Sequence, residues 1–377
     1  MKHTVFCGVD RINELEMLLR GKKVALLTAA SGVDKHGVPT YEIISRMAKL
    51  ELIFAPEHGL ASAMQDGKFG NNDGEVHKES GARLYNLTSK GHPELPALIS
   101  EVDVAVYDIQ DVGARFYTYL CNLTQLMRAC KTAGKPLLVL DRPNPIGGVN
   151  CEGLILDERR FSSFVGEYAI PTRYGLTVGE YAAYVNAEKG IDCDLTVLSC
   201  LGWTRDLYMD ETDLLFVNPS PNIPSVGSAI NYIGSCVYEA TNISEGRGTT
   251  RPFDYVGAPF VDGDAFLREM KALELPGVVF RRIFFTPMFN KHAGEVCHGL
   301  ELHITNRQIY QPFLTNLYML RHLCGYEEFT CRPEGLALRV GQDILPELSS
   351  PETILQRNEE ALAAYCETAR KYWLYHV

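Results

Sequence analysis

The sequence lacks the features that mark nucleic-acid-binding and membrane proteins. Lys and Arg number 36 against 47 Asp and Glu, which gives 377 residues a net charge of −11. The basic residues form no run, so a nucleic-acid partner is not expected. No apolar run approaches the roughly 20 residues of a membrane helix. The remaining composition, 46% hydrophobic and 22% charged, is that of a globular protein with two domains or one large one.

The chain also lacks the cysteine spacing of a disulfide framework. Its eleven cysteines are scattered and include no C-x-x-C pair. The N-terminal stretch MKHTVFCGVDRINELEMLL has neither an apolar segment of signal-peptide length nor a small-residue cleavage site. We therefore expect reduced thiols and a cytoplasmic location, with export as the alternative if a leader has been removed.

Cofactor motifs are missing as well. The first apolar run, 24–29, leads into Ser31-Gly32-Val33 and not into G-x-G-x-x-G, and there is no P-loop. No H-E-x-x-H motif, zinc spacing or G-x-S-x-G elbow occurs. A cation could still be held by four scattered residues, His58, Asp108, Asp111 and Asp141. We nevertheless expect neither a metal nor a cofactor.

Strand and helix patterns alternate in the first half of the chain. Strands are predicted at 24–29, 52–55, 102–107, 136–140 and 194–200, and helices at 41–50, 93–100 and 119–133. This alternation predicts an α/β fold with a parallel sheet covered on both faces. A capped helix is expected after Thr177, with Glu180 in the capping-box position, and Gly134 is the expected end of helix 119–133.

The pattern changes after about residue 225. Helices are predicted at 262–273, 312–324 and 352–374, and strands at 278–286 and 299–305. We therefore place a first domain at residues 1–225 and a smaller α+β domain at residues 226–377.

Polar residues follow several of the predicted strands directly. These turns read PEHG at 56–59, DIQD at 108–111 and DRPNP at 141–145. Because ligands of open α/β sheets bind beyond the carboxyl ends of the strands, the three turns are expected to share one edge. Helix capping is the alternative. It can explain Asp111 or Asp141 better than Glu57 and His58.

The stretch 219–259 is rich in Gly, Pro, Ser, Asn and Thr, which is not typical of a packing element. Four residues that can bind a polar ligand stand close together within it, namely Glu239, Asn242, Glu245 and Arg247. A polar-ligand site on irregular backbone is the interpretation we favour. A solvated surface loop is the alternative.

These residues suit carboxylate chemistry. Glycoside cleavage needs one carboxylic acid to protonate the leaving oxygen and a second carboxylate as base or nucleophile. Available carboxyl groups are those of Glu57, Asp108, Asp111, Glu239 and Glu245. Arg115 and Arg247 can bind an anionic group through two hydrogen bonds, and Tyr117 and Tyr119 can offer flat surfaces to a sugar ring.

An ordered series of motifs adds a family resemblance. It runs through PEHG, YDIQDVGARFYTY, DRPNPIGG, EGLILD, SFVGEYAIPTRYGLTVGEYA, PSPNIP and EATNISEGRGTTRPFDYVGAP. The chain resembles the exo-β-N-acetylmuramidase family known as NamZ over nearly its whole length. The resemblance implies a Rossmann-like domain, a smaller C-terminal domain and an active site in the cleft between them. It also implies release of N-acetylmuramic acid from the non-reducing ends of peptidoglycan fragments.

The resemblance suggests roles for individual residues. Glu57 matches the glutamate of the P-E-H-G motif and is the expected general acid or acid/base. Glu239 or Glu245 would be the second carboxylate, with Asp108 in reserve. Arg247 or Arg115 would hold the lactyl carboxylate of the substrate. Other residues expected to line the cleft are His58, Gln110, Asp111, Tyr117, Asp141, Asn144, Asn222 and Asn242.

Two departures from the family pattern keep alternatives open. The loop after Gly59 reads LASAMQDGKFGNNDGE where the family usually has an aromatic residue, Arg-Gly and an acidic stretch, and Tyr174 stands where His is common. A non-catalytic muramyl-glycan-binding protein and a hydrolase of another anionic sugar are therefore alternatives. Retention or inversion at the anomeric carbon and the oligomeric state are also open.

Overall fold

A computed structural model describes residues 2–65 and 73–377. Its strands are β1 (Lys23–Thr28), β2 (Lys49–Ala55), β3 (Glu75–Val76), β4 (Arg83–Asn86), β5 (Val104–Asp108), β6 (Leu137–Leu140), β7 (Leu195–Leu198), β8 (Tyr255–Ala258), β9 (Val278–Phe285) and β10 (Cys297–Ile304). Its α-helices are α1 (Ile12–Leu19), α2 (Thr40–Ser45), α3 (Leu95–Ser100), α4 (Tyr119–Ala133), α5 (Glu158–Phe161), α6 (Val178–Glu188), α7 (Val226–Ser235), α8 (Gly263–Ala272), α9 (Pro312–Leu323), α10 (Pro333–Val340), α11 (Pro351–Gln356) and α12 (Glu359–Arg370).

The larger sheet has seven strands in the order β3-β4-β2-β1-β5-β6-β7. All neighbouring strands are parallel except the short edge strand β3. Counted alone, the six parallel strands follow the order 3-2-1-4-5-6 of the Rossmann fold. Strands β5 and β6 are buried along their whole length, as expected for a sheet covered on both faces. The predicted Rossmann-like α/β fold is confirmed.

Local signals located several elements correctly. Helix α4 occupies the predicted residues and ends at Gly134, whose φ of 64° is left-handed. Thr177 and Glu180 form the predicted capping box of α6. The predicted helix 41–50 is shorter, because α2 ends at Ser45. Lys49 already pairs with Lys23 of β1, so sheet pairing takes over the residues that follow.

The second part of the chain contains a three-stranded antiparallel sheet in the order β8-β10-β9. The single helix predicted at 352–374 was wrong, since α11 and α12 are separate helices. Asn358 lies between them and is buried. Its side chain accepts a hydrogen bond from Ile155 N at 3.0 Å and donates one to Gly153 O at 3.1 Å. These bonds to the first part of the chain hold the backbone where the helix is interrupted.

The interpretation of most of 219–259 as irregular backbone was wrong for residues 226–240. Helix α7 lies in this stretch and is followed by a 3-10 helix, Cys236–Ala240. Ser225 caps α7 by accepting a hydrogen bond from Ser228 N at 3.1 Å. A Cβ at Gly234 would overlap the Pro312 carbonyl at the start of α9. The small residues that suggested a loop therefore allow two helices to pack closely.

The C-terminal segment returns to the larger sheet. Tyr365 of α12 donates to Tyr174 O at 2.7 Å, and Tyr375 donates to the Asp141 carboxylate at 2.5 Å. One apolar cluster contains residues from both parts of the chain. The division at residue 225 therefore stays a prediction. Within residues 2–65 and 73–377, no helix combines the length and apolarity needed to span a bilayer.

Candidate active site

A cavity of about 540 Å³ lies where the carboxyl end of β2 and the segment before α4 face the chain after α7. Both parts of the sequence contribute to its walls. The lining residues are Glu57, His58, Phe116, Tyr117, Thr118, Val165, Ser220, Asn222, Ile223, Tyr232, Glu239, Arg247, Phe253, Arg332 and Arg339.

Glu57 stands at one side of this cavity, directly after the buried strand β2 and Pro56. Its side chain is nearly buried, with the residue 9% exposed. Thr118, the residue before α4, donates its hydroxyl proton to Glu57 Oε2 at 2.9 Å. The carboxyl group is thus oriented by the N-terminal end of α4 while it faces the cavity.

His58 adopts a backbone conformation that is unusual for a residue with a side chain. Its φ is 73°, in the left-handed region. Nδ1 lies 2.7 Å from the carbonyl oxygen of Met64, and because a carbonyl only accepts, Nδ1 carries the proton. Burial lowers the pKa of His58 and so favours the neutral ring. Nε2 of this ring is then a hydrogen-bond acceptor.

Glu239 lies between two guanidinium groups. Arg339 donates from Nε and Nη2 to Glu239 Oε2 at 3.0 and 2.7 Å, and Arg247 donates to Oε1. Burial, followed by the charge of Arg339, lowers the pKa of Arg247 to about 10. The two guanidiniums fix the orientation of the Glu239 carboxylate in the cavity wall.

Glu245 does not line the cavity but lies behind Arg247. Its residue is 1% exposed, its Oε1 lies 3.2 Å from Arg247 Nε, and its Oε2 accepts from Lys291 Nζ at 2.7 Å. Burial raises the pKa of Glu245, while Lys291 opposes this shift. The arrangement positions Arg247 and leaves Glu245 away from the cavity.

Aromatic rings form a continuous part of the wall. Phe116 and Tyr232 lie 4.9 Å apart between ring centroids, and Tyr232 and Phe253 lie 4.6 Å apart. Tyr117, an expected site residue, contacts Tyr232 at 6.2 Å. Phe253 has a φ of 67° and is, with His58, the second non-glycine wall residue in the left-handed region. Such strained residues concentrate at functional sites.

Asn222, another expected site residue, also lines the cavity. Its Nδ2 donates to Gln65 Oε1 at 3.0 Å. Met64 and Gln65 belong to the loop after Gly59 that departs from the family pattern. The described part of this loop therefore supports His58 and Asn222, whereas residues 66–72 of the departure lie outside the described residues.

Arg332 differs from the other two cavity arginines because it is exposed. Its Nη2 donates to the main-chain carbonyl of Glu239 at 2.9 Å. Among the described residues, no carboxylate forms an ion pair with it, whereas Arg247 and Arg339 are both paired with Glu239. Arg332 is thus the cavity arginine best able to bind an incoming anion.

Asp108 does not line the cavity, although it ends strand β5 as predicted. Its two carboxylate oxygens accept from Arg142 Nε and Nη2 at 2.6 and 2.8 Å, and Thr40 donates a further hydrogen bond. A Cβ at Gly32 would lie 2.7 Å from the Asp108 carbonyl oxygen. The crevice between β1 and β5 is therefore filled by side chains, and Asp108 is assigned to folding rather than to catalysis.

Four further expected residues at this sheet edge also lie outside the cavity wall and are buried. Asp111 accepts from Gly113 N at 2.7 Å and from the Tyr174 hydroxyl. Asp141 accepts from Gly179 N at 2.8 Å and from the Thr177 hydroxyl at 2.7 Å. It therefore holds the N-terminal end of α6, in agreement with the helix-capping alternative. Burial raises the pKa of Asp111 to about 7 and that of Asp141 to about 6. The amides of Gln110 and Asn144 bond to main-chain carbonyls.

Arg115 and Asn242 act on the cavity only through other residues. Arg115 donates to Leu154 O at 2.7 Å, to Ile170 O at 2.9 Å and to Arg339 O at 2.6 Å. Burial lowers the pKa of Arg115 to about 9. Asn242 accepts from Thr330 N at 2.9 Å, close to Arg332. Both residues support the segment that carries the exposed arginine, so neither is assigned to substrate.

Sequence reasoning missed Thr118, Arg332 and Arg339. No helix was predicted over α10, although Pro333 at its first position and the spacing of the buried residues Leu336 and Val340 are helix signals. Nothing in the sequence shows that arginines so far from Glu57 along the chain line the same cavity. Among the residues with assigned positions, no group of three or more His, Cys, Asp or Glu is arranged to hold a metal ion.

Comparisons with known proteins agree with this arrangement. A family model described as exo-beta-N-acetylmuramidase NamZ, N-terminal, matches residues 24–227, and the corresponding C-terminal model matches residues 230–375. The peptidoglycan beta-N-acetylmuramidase NamZ of Bacillus subtilis (strain 168) is 38% identical, and the alignment covers 99% of this chain and 92% of the relative.

Two crystal structures of DUF1343 family proteins from Bacteroides fragilis NCTC 9343 have similar folds. One has a TM-score of 0.89 at 29% identity and covers 100% of both chains. The other has a TM-score of 0.81 at 28% identity and covers 99% of both chains. The alignment with the first of these structures covers the whole chain and therefore includes both sheets. The chain belongs to the NamZ family of exo-β-N-acetylmuramidases.

Proposed function

We propose that this protein is an exo-acting glycosidase that releases N-acetylmuramic acid from the non-reducing ends of peptidoglycan fragments. The observation that carries the proposal is one cavity that Glu57, Glu239 and three arginines line together. The relative from Bacillus subtilis is itself a peptidoglycan beta-N-acetylmuramidase. A cavity of about 540 Å³ falls within the size range of small-ligand sites.

The charge of the cavity suits the lactyl carboxylate that distinguishes muramic acid from glucosamine. Three arginines and two glutamates line it, and burial lowers the pKa of His58, which favours the neutral ring. We assign the lactyl carboxylate to Arg332, in place of Arg247 or Arg115. The guanidinium of Arg332 is exposed and unpaired with any carboxylate of the described residues, so it can make a charge-assisted hydrogen bond to an anion.

Glu57 is assigned as the general acid. It protonates the glycosidic oxygen as the bond to the leaving sugar breaks; water then adds to the anomeric carbon and gives its proton back to the Glu57 carboxylate, which acts as acid and then as base. The hydroxyl of Thr118 holds the carboxyl group in place. Glu239 is the other carboxylate of the described cavity wall. Because it is paired with two guanidiniums, we assign it to positioning Arg247 and Arg339, with a smaller effect on the chemical step.

The test is hydrolysis of a chromogenic aryl N-acetyl-β-muramide. Glu57→Gln keeps an acceptor for Thr118 but cannot donate a catalytic proton, so kcat is expected to fall about 10²–10⁴-fold. Glu239→Gln is expected to lose less of kcat than Glu57→Gln, and the exposed residue change Glu327→Gln should leave it unaltered. Wild-type kcat in Glu57→Gln would remove Glu57 from the mechanism, and an equal loss in Glu239→Gln would make Glu239 catalytic.

The same assay separates the alternatives. Binding of a muramyl ligand without turnover would indicate a non-catalytic glycan-binding protein. Faster turnover of another aryl glycoside of an anionic sugar would indicate a different substrate. The cytoplasmic location also stays a prediction, and it is supported by eleven cysteines that are all free thiols.

A further inference from the structure

Beyond the cavity, two adjoining depressions along α4 form a polar groove. A depression of about 170 Å³ begins at Cys121, one helical turn after the cavity residue Thr118. Phe164, the neighbour of the cavity residue Val165, also lines this depression. A further depression of about 320 Å³ shares Gln125 and Arg128 with it.

Helical spacing places these positions on one face. Residues 118, 121, 125, 128 and 132 follow one another at steps of three and four, so they form a single row along α4. Thr132 lines the far depression. At 1.5 Å per residue, the row is about 21 Å long. This length exceeds what one sugar ring needs and suits a short stretch of glycan strand.

The position of the general acid gives this groove its direction. A general acid must stand beside the leaving oxygen, so the leaving sugar extends past Glu57. Thr118, the first position of the row, bonds to Glu57 at 2.9 Å. The arginines that suit the lactyl carboxylate surround Glu239, the other glutamate of the wall. The released sugar is assigned to the cavity that the arginines line, and the strand that leaves is assigned to the row that starts at Thr118.

The chemistry of the groove matches a saccharide. Phe164 is a partly exposed aromatic ring next to the cavity, and Gln125 offers an amide, whereas the hydroxyl of the lining residue Ser163 is buried. Arg128 is held by Glu167 at 2.5 Å and by the Tyr168 hydroxyl at 3.0 Å, so its charge is already paired. Aromatic rings together with neutral polar groups suit sugar rings and their hydroxyl and acetamido groups.

We propose that this α4 groove, defined by Gln125, Arg128, Ser163 and Phe164, binds the saccharide that leaves when the terminal muramoyl residue is released. This inference rests on the proposed function. It adds that the enzyme recognises a strand longer than the disaccharide at the scissile bond. Longer peptidoglycan fragments should therefore have a higher kcat/KM than an aryl muramide, whose leaving group reaches no further than Thr118.

The experiment compares two substrates for each variant. One is an aryl N-acetyl-β-muramide, and the other is a tetrasaccharide of alternating N-acetylmuramic acid and N-acetylglucosamine with a non-reducing muramoyl end. For Phe164→Ala and, separately, Gln125→Ala, the ratio of kcat/KM for the tetrasaccharide to that for the aryl muramide should fall at least tenfold. Lys131→Ala, on the same helix but outside the groove lining, should leave the ratio unchanged.

The outcomes distinguish this inference from the proposed function. An unchanged ratio in both groove variants that keep the wild-type circular dichroism spectrum would overturn the groove assignment. If wild-type enzyme hydrolysed no muramide, the proposed function would fail. The groove would then be tested by calorimetric titration with the same tetrasaccharide, where weaker binding by Phe164→Ala supports it and equal affinity overturns it.

Discussion

Arg332 is an exposed cavity residue whose guanidinium forms one hydrogen bond with the described residues, to the main-chain carbonyl of Glu239. If it binds the lactyl carboxylate, Arg332→Met removes one charge-assisted hydrogen bond, worth about 1.5–3 kcal/mol. The kcat/KM for an aryl muramide should fall about 10- to 100-fold. The kcat/KM for the matching aryl N-acetylglucosaminide, which has no lactyl group, should not change.

Two controls sharpen this comparison. Arg46→Met replaces an exposed arginine at the end of α2 and should change neither substrate. Arg339→Met removes a partner of Glu239 and should affect both substrates. If Arg332→Met lowered the two kcat/KM values equally, Arg332 would have no part in selecting the lactyl group.

Asp111 links the stability of the protein to pH. Burial raises its pKa to about 7 in the folded state, against about 3.9 for an exposed aspartate. Between these values the folded protein binds the proton and the unfolded chain does not. The contribution of Asp111 to the free energy of unfolding therefore decreases as the pH rises from about 4 to about 7.

Asp111→Asn should remove this dependence. The amide oxygen can still accept from Gly113 N and from the Tyr174 hydroxyl. Relative to wild type, the variant should gain stability steadily from pH 4 to pH 7, by on the order of a few kcal/mol, and then level off. Urea unfolding across this range measures the difference, and a constant difference would show that Asp111 has the same pKa in both states.

The positions of site residues could be predicted from the sequence where neighbouring residues determine them. Glu57 and His58 follow a buried strand, so their position at the sheet edge could be read from the apolar run before them. Arg332 could not be found in this way, because it reaches the cavity only through the packing of α10 against the segment Cys236–Ala240. Tyr174, a departure from the family pattern, bonds to Asp111 and does not line the cavity.

At the scale of elements, two glycines where a Cβ would meet no close neighbour should respond in opposite ways: the space is open at Gly134, and at Gly227 the nearest atom is Ser225 Oγ at 3.6 Å. Gly134 ends α4 with a φ of 64°, whereas Gly227 lies in the first turn of α7 with ordinary helical backbone. Gly134→Ala should destabilise the protein by about 1 kcal/mol, because alanine is strained in the left-handed region. Gly227→Ala should stabilise it by about 0.5–1 kcal/mol.

Chemical denaturation of both variants beside wild type measures these changes. Gly134→Asn provides a control, since asparagine tolerates the left-handed region better than alanine and should lose less stability. A stabilised Gly134→Ala would contradict the assigned end of α4.

Elements were predictable where their signal lies within a few residues. The apolar spacing of α4 and the glycine that follows it are local, as is the capping box of α6. The break at Asn358 is not local, because it depends on hydrogen bonds to residues 153 and 155. Helix α7 was missed because its small residues serve contact with α9, which no short window of sequence reveals.

At the scale of the whole molecule, the two parts of the chain share contacts that couple their folding. Tyr375 bonds to Asp141, and the Trp373 ring lies 3.9 Å from the Arg205 guanidinium. The apolar cluster is also continuous between the parts. We therefore expect one cooperative thermal transition, with equal calorimetric and van't Hoff enthalpies. Two resolved transitions would indicate that residues 1–225 and 226–377 unfold separately.

Tyr375→Phe tests whether the two parts of the chain unfold together, because it removes only the hydroxyl oxygen of Tyr375. It removes the hydroxyl that donates to Asp141 and accepts from Cys200 N at 2.8 Å, so the free energy of unfolding should fall by about 1–3 kcal/mol. The transition should move to a lower temperature as a whole. A shift confined to one part of a split transition would contradict shared cooperativity.

The ion pair between Arg142 and Asp108 has a consequence for how this fold is recognised. It occupies the place where proteins with the same strand order bind the pyrophosphate of a dinucleotide. The strand order taken alone would suggest a dinucleotide-binding protein, yet two buried side chains form an ion pair at this place. The strand order therefore identifies the fold but not the position of the ligand. The side chains at the sheet edge indicate that the ligand binds in the cavity beside Glu57 and not at the crevice between β1 and β5.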